Sequence, residues 1–161
     1  MQTPVGGTDP TRSSSIEVVY REHGDRIWRG VFLYSGDREV ASDAVAEAFA
    51  QALRRGDAIS SPMAWITKAA FKIAAGELKE RRRTSELVAL PTYDASEISV
   101  DLVMALRRLP ERQRVAVVLR FYVGFSHGEI ARLTGSTAGA VAVNVHRGRR
   151  RLQELMGGSD A

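Results

Sequence analysis

The chain of 161 residues contains no cysteine. Disulfides, thiolate catalysis and cysteine-based zinc sites are therefore excluded. Proline is sparse at five residues, leaving long stretches free to be helical. Aromatic residues make up 7%. No apolar run approaches the length of a membrane span, so membrane insertion is not expected. The first fifteen residues are polar, with Gly and Pro, and do not read as a signal peptide. A cytoplasmic protein is expected. Three enzyme signatures are missing: a phosphate-binding P-loop, a His-Glu-x-x-His zinc motif and a Gly-x-Ser-x-Gly elbow. The three histidines, His23, His127 and His146, lack metal-ligand spacing. Neither a metal, a cofactor nor catalysis is expected.

What is present is a basic, apolar-rich chain. Hydrophobic residues are 44%, which argues against a disordered polymer. The formal charge is +4, pointing to an anionic partner, most commonly nucleic acid. Of 23 basic residues only Lys68, Lys72 and Lys79 are lysines. Arginine suits phosphates and guanine edges, although a GC-rich genome would give the same bias. Residues 101–161 hold ten basic side chains against five acidic ones.

Helical periodicity runs through most of the chain. Residues 1–13 read as a disordered tail, and Ser14 with Glu17 as a capping box opening the first helix. That helix carries Ile16, Val19, Tyr20, His23, Ile27 and Tyr34. Trp28 and Phe32 fall off this stripe, facing either a partner or neighbouring helices. A second helix over 39–55 buries Val45, Ala48, Phe49 and Ala52 and turns Asp43 and Glu47 outward. Ser61-Pro62 starts a third helix that ends near Arg83, with Lys68, Lys72 and Lys79 on one face. That stripe reads either as a solvated face or as a polyanion contact. Trp65 reads as core or as a base-stacking platform.

Residues 84–100 contain no Lys or Arg, three acids and Pro91, and read as a flexible linker. The linker should leave two domains, 14–83 and 101–156, loosely coupled. The second should hold four helices, one of them with Val115, Val118, Leu119 and Tyr122 on a common face. Ser126 and Glu129 form a capping box before a short helix. Gly135 turns the chain, and Thr137 caps an arginine-rich helix with Val141, Val145, Gly148, Leu152 and Leu155 inward. This is a helix-turn-helix pattern, whose second helix would enter the major groove of duplex DNA. An ordinary helical hairpin with a basic face is the bland alternative.

The run Leu109-Pro110-Glu111-Arg112-Gln113-Arg114, then Val118-Leu119-Arg120-Phe121-Tyr122, Gly124-Phe125-Ser126, Glu129-Ile130-Ala131 and Val145-His146-Arg147-Gly148-Arg149-Arg150-Arg151-Leu152, resembles region 4 of the extracytoplasmic-function (ECF) sigma factors, a branch of the sigma-70 family. Asp43-Ala44-Val45-Ala46-Glu47-Ala48-Phe49 and Pro62-Met63-Ala64-Trp65-Ile66 resemble their region 2. The resemblance covers about residues 16–156. It implies an all-α protein of two small helical domains, a region 2 bundle and a region 4 helix-turn-helix. It implies that Asp43, Ala46, Glu47 and Phe49 dock on the β′ clamp helices of core RNA polymerase. By the same resemblance Lys68, Lys72, Lys79, Arg82 and Arg83 bind the minus-ten element of promoter DNA. Thr137, Ala140, Ala142, Val143, Asn144, Arg147 and Arg150 would then bind the minus-thirty-five element, and region 4 would also meet the polymerase β flap. An anti-sigma factor is a possible further partner.

Family-typical residues are replaced at Ala46, Phe71, Lys72 and Gly76, and at Ala140, Ala142, Val143 and Asn144 in the recognition helix. The implied activity is promoter-specific transcription initiation. The alternatives are a stand-alone helix-turn-helix regulator, or a sigma-like decoy that binds a partner without initiating. Only residues 157–161 follow region 4, so no appended regulatory domain is expected.

Overall fold

The computed structural model describes residues 10–84 and 98–157, without the side chains of 10–14 and 57. Among these residues there are seven α-helices and no strand: α1 Pro10–Ser35, α2 Arg38–Arg55, α3 Pro62–Arg83, α4 Val100–Arg107, α5 Glu111–Val117, α6 His127–Thr134 and α7 Ala138–Gly157. A 3-10 turn, Gly56–Ala58, follows α2, and a π-helical stretch, Val118–Val123, extends α5. Helices α1–α3 form one bundle and α4–α7 another. Most of the linker read over 84–100 lies outside the described residues, as do residues 1–9 and 158–161.

Local signals account for most boundaries. Asp37 caps α2 by accepting from the backbone N–H groups of Glu39 and Val40 at 2.9 and 3.1 Å. Its other carboxylate oxygen takes Arg81 at 2.6 Å, tying the end of α3 to the start of α2. Pro62 opens α3 as read, but Ser61 makes no side-chain capping bond. Pro fixes φ at the first helical position without that help. Helix α1 starts at Pro10, so Ser14 lies inside the helix rather than at its cap, and 10–13 are helical rather than tail.

Two other expectations change. Val115 and Tyr122 do not share a buried face with Val118 and Leu119. The π-helical turn adds a residue to the repeat, so Val123 is buried and Tyr122 is turned outward. The two bundles are also not loosely coupled here. Val31, Phe32, Leu33, Tyr34, Ser35 and Gly36 are all buried, because α1 is covered by α2 and α3 on one side and by α4 and the π-helical stretch on another. A helix end that is buried all round needs neighbours all round. Phe32 belongs to this wrapped end, which answers why it fell off the main stripe. Half-buried Trp28 stacks on it, donates its indole N–H to Ser42 Oγ at 3.0 Å, and lies under the Arg38 guanidinium.

Gly148 sets how closely α7 approaches α5. A Cβ there would fall 2.6 Å from a Val117 methyl and 3.2 Å from the Gln113 carbonyl oxygen. The backbone oxygen cannot move aside cheaply. Gly148→Ala should gain about 1 kcal/mol in helix propensity and lose about 1–3 kcal/mol to overpacking. A lower urea midpoint is the expected result, and an unchanged or raised midpoint would show that the contact yields freely.

Candidate nucleic-acid interface

The helix-turn-helix is built by short-range chemistry. Ser126 Oγ accepts the Glu129 backbone N–H at 3.1 Å, and Glu129 returns its carboxylate to the Ser126 N–H at 3.1 Å. The Ser126 backbone N–H foremost, and the Ser126 hydroxyl after it, hold the Glu129 carboxyl below its ordinary pKa. Ile130 and Ala131 then face the core. Gly135 carries the chain between the helices at φ 66°, where a side chain would be strained. Thr137 Oγ1 accepts the Ala140 N–H at 3.1 Å, so it serves α7 as a cap. Val141, Val145 and Gly148 are buried, while Leu152 and Leu155 are only partly covered.

The outward side of α7 is now defined. Ala140, Val143, Arg147 and Arg150 are exposed, and Ala142 and Asn144 are half-buried. The arginines are not equivalent. Arg150 and Arg151 share Glu154 at 3.7 and 3.8 Å, and Arg149 lies over the Phe121 ring. Among the described residues Arg147 makes no ion pair, which leaves it the freest cation of the recognition helix.

In α3, Ile66, Ala70, Phe71, Ala74 and Leu78 are buried and Lys68, Lys72, Lys79, Arg82 and Arg83 are exposed. Arg81, between them in the basic run, is instead structural: it bonds Asp37 and also Glu77 at 3.3 Å. Trp65 is half-buried with the Arg55 guanidinium over its ring. Lys68, Lys72 and the start of α7 face each other across a cleft of about 550 Å³, which Ala140 and Asn144 also line. A second cleft of about 840 Å³ lies between the loop Ile59 to Pro62, Trp65 and Lys68 on one side and Phe125, Glu129 and Arg132 on the other. Of the expected DNA-binding residues, Lys68, Lys72, Ala140 and Asn144 line these clefts, whereas Lys79, Arg82, Arg83, Val143, Arg147 and Arg150 line neither and stay exposed.

On α2, Asp43, Ala46 and Glu47 are exposed, as their positions opposite the core stripe require. Phe49 is corrected: it is 6% exposed, its ring edge-on to Tyr20, so it supports this face from beneath rather than presenting itself. Next to it a groove of about 920 Å³ runs between α1 and α2, lined by Tyr20, Ala46, Phe49 and Leu53 among others. Tyr20 is 64% and Leu53 58% exposed. Helical periodicity placed Tyr20 in the core and gave no signal for Leu53. Two large apolar side chains left at the rim of a groove are the feature that sequence reading missed.

The fold and site define a two-domain helical protein with a helix-turn-helix in its second domain. Residues 99–152 match the family description "Sigma-70, region 4". Over 154 residues the chain is 30% identical to ECF RNA polymerase sigma factor SigM of Mycobacterium tuberculosis, covering 89% of this chain and 78% of that one. It is 28% identical to ECF RNA polymerase sigma factor BldN of Streptomyces coelicolor, over 86% of this chain and 59% of the relative. With SigE of Mycolicibacterium smegmatis the figures are 27%, 92% and 64%. The chain thus spans about three-fifths of the length of the latter two. It belongs to the ECF sigma factors of the sigma-70 family.

Its fold is shared with the sigma factor RpoE solved in complex with the anti-sigma factor NepR from Bartonella quintana. That match has a TM-score of 0.74 at 24% identity, covering 90% of this chain and 96% of the other. CnrH, solved with the cytosolic domain of CnrY, matches with a TM-score of 0.71 at 20% identity, over 91% and 90%. No helix among the described residues is long and apolar enough to cross a membrane.

Proposed function

We propose that the protein is a promoter-specificity subunit that joins core RNA polymerase in the cytoplasm and directs it to promoters. The observation that carries this reading is the capped helix-turn-helix of α6 and α7 inside a matched sigma-70 region 4, with Arg147 free on its outer side. Arg147, Ala140, Ala142, Val143, Asn144 and Arg150 would meet the minus-thirty-five duplex. Ala and Val contribute thymine-methyl contacts and close approach, and Arg147 a phosphate or guanine contact. Lys68, Lys72, Lys79, Arg82 and Arg83 would hold the backbone of the minus-ten element. Asp43, Ala46 and Glu47, with the Tyr20–Leu53 groove, would take the β′ clamp helices. Such a subunit contributes binding and orientation and has no bond-making residues of its own.

Two structural relatives were solved with anti-sigma factor NepR and with CnrY, and a comparable protein partner is part of the proposal here. The function is tested by adding the protein to core polymerase with a library of genomic fragments. Discrete transcripts that need the added protein are expected. DNA binding without transcripts or core binding would establish a stand-alone regulator. Core binding without transcripts would establish a decoy.

A further inference from the structure

We propose that the cleft of about 550 Å³ between α3 and the helix-turn-helix is a binding site for a small amphipathic organic anion, a carboxylate carried on an apolar body. The floor of the cleft is apolar. Phe71 of α3, Leu119 of the π-helical stretch and Ile130 of α6 are buried side chains that line it, with half-buried Leu133 beside them. The rim is cationic. Lys68 and Lys72 stand one turn apart on α3 and Arg112 stands on α5, all three exposed. None of the three makes an ion pair among the described residues. The one carboxylate among the described lining residues, Glu111, already accepts the Tyr34 hydroxyl at 2.6 Å.

Three cations around one engaged carboxylate leave the cleft positive. Lys68 and Lys72 repel each other at their four-residue spacing, and an anion between them relieves that repulsion. Ser136 and Ala140 bring the start of α7 to the opposite wall, and with it the positive end of a 20-residue helix. Half-buried Asn144 lines this wall too. Its side-chain amide has no hydrogen-bond partner among the described residues, which leaves a donor for a carboxylate oxygen.

The size of the cleft selects the kind of occupant. Small-molecule sites hold roughly 300–1,000 Å³ and favour the seam between packed units. A polypeptide helix is about 10–12 Å across and rises about 5.4 Å per turn, so this cleft would take only about one turn of it. A bare inorganic anion would leave the apolar floor wet, and an uncharged apolar molecule would leave the cations unpaired. Only a molecule with an anionic head and an apolar body matches both parts. Bound there, it would hold Lys68 and Lys72, which the proposed function gives to the minus-ten backbone. Ligand and DNA would then compete for these lysines, a consequence that rests on the proposed function, whereas the site itself stands on geometry.

Decanoate is the probe, titrated by calorimetry into the full chain. Decanol, with the same body and no charge, and acetate, with the charge and no body, are the controls. Decanoate should bind one to one, and both controls at least about tenfold more weakly. Lys72→Ala with Arg112→Ala, both at exposed positions, should weaken decanoate binding at least about tenfold while circular dichroism stays helical. Ala75→Trp, which fills the cleft from a half-buried position on α3, should abolish it. No decanoate binding, equal affinity for decanol, or full affinity in the Lys72 and Arg112 double variant would overturn the site. Saturating decanoate should also weaken wild-type binding to a fluorescein-labelled random-sequence duplex. Bound decanoate with unchanged duplex affinity would overturn the competition. A chain that took decanoate and bound no duplex at all would refute the proposed function and leave the site standing.

Discussion

Reversing Asp43 and Glu47 together to lysine is expected to weaken binding to core RNA polymerase at least about tenfold while the helical fold survives. The two carboxylates are one helical turn apart on the exposed side of α2. The opposite side is fixed by Val40, Ala41, Ala44, Val45, Ala48 and Ala52, all buried, so the surface charges can change without disturbing the core. Glu47 has two partners on its own helix. Gln51 and Arg54 donate to its Oε1 at 3.1 and 3.0 Å and hold its carboxyl below the ordinary range. It stays ionised at neutral pH and presents a fixed negative charge beside the apolar rim of Tyr20 and Leu53. A basic, partly apolar helix pair would find both features together. Neutralisation by Asp43→Asn and Glu47→Gln should give a smaller loss than reversal, because repulsion is absent. Titration of labelled core polymerase measures the effect, and equal affinity for wild type and the reversed variant would remove α2 from the docking surface.

Arg147→Ala should reduce promoter binding by about 1–3 kcal/mol, the largest effect of any single change on α7. Arg150 must be drawn from Glu154 before it can contact DNA, and Arg149 from Phe121. Arg147 has no such competing ion pair among the described residues. It also sits on the exposed side one turn beyond Val143. Val143→Ala should cost less, since only a methyl contact is trimmed. If Arg147 meets phosphate, the loss will be similar across sequences and the salt slope will shrink by about one. If it reads guanine, the loss will be confined to one base position. Footprinting and salt titration on promoter fragments distinguish these outcomes. No change in binding would place Arg147 outside the groove.

Legibility followed the range of the interactions. The helix-turn-helix could be read because its signals are local: Ser126 and Glu129 three apart, glycine at Gly135, Thr137 at the next start. Helix α3 was readable from Pro62, and the exposure of its lysines from their spacing. Periodicity was weaker where a residue's neighbours come from elsewhere in the chain. It could not tell that the end of α1 is enclosed by both bundles, since one buried stripe and a fully buried end look alike until the second bundle is placed. It could not foresee the π-helical turn, because one added residue shifts the stripe after Val118 without any mark of Gly or Pro. Tyr20 missed its expected place for a similar reason. It and Phe49 both lie on buried stripes by period, and only the packing of α1 on α2 leaves Phe49 covered and Tyr20 exposed.

The apolar core that continues from the end of α1 into Val118, Val123, Val103 and Leu106 also makes the packing of the two bundles temperature-dependent. Covering apolar surface lowers the heat capacity, and its driving force fades on cooling. Cooling should therefore weaken the contact between the bundles.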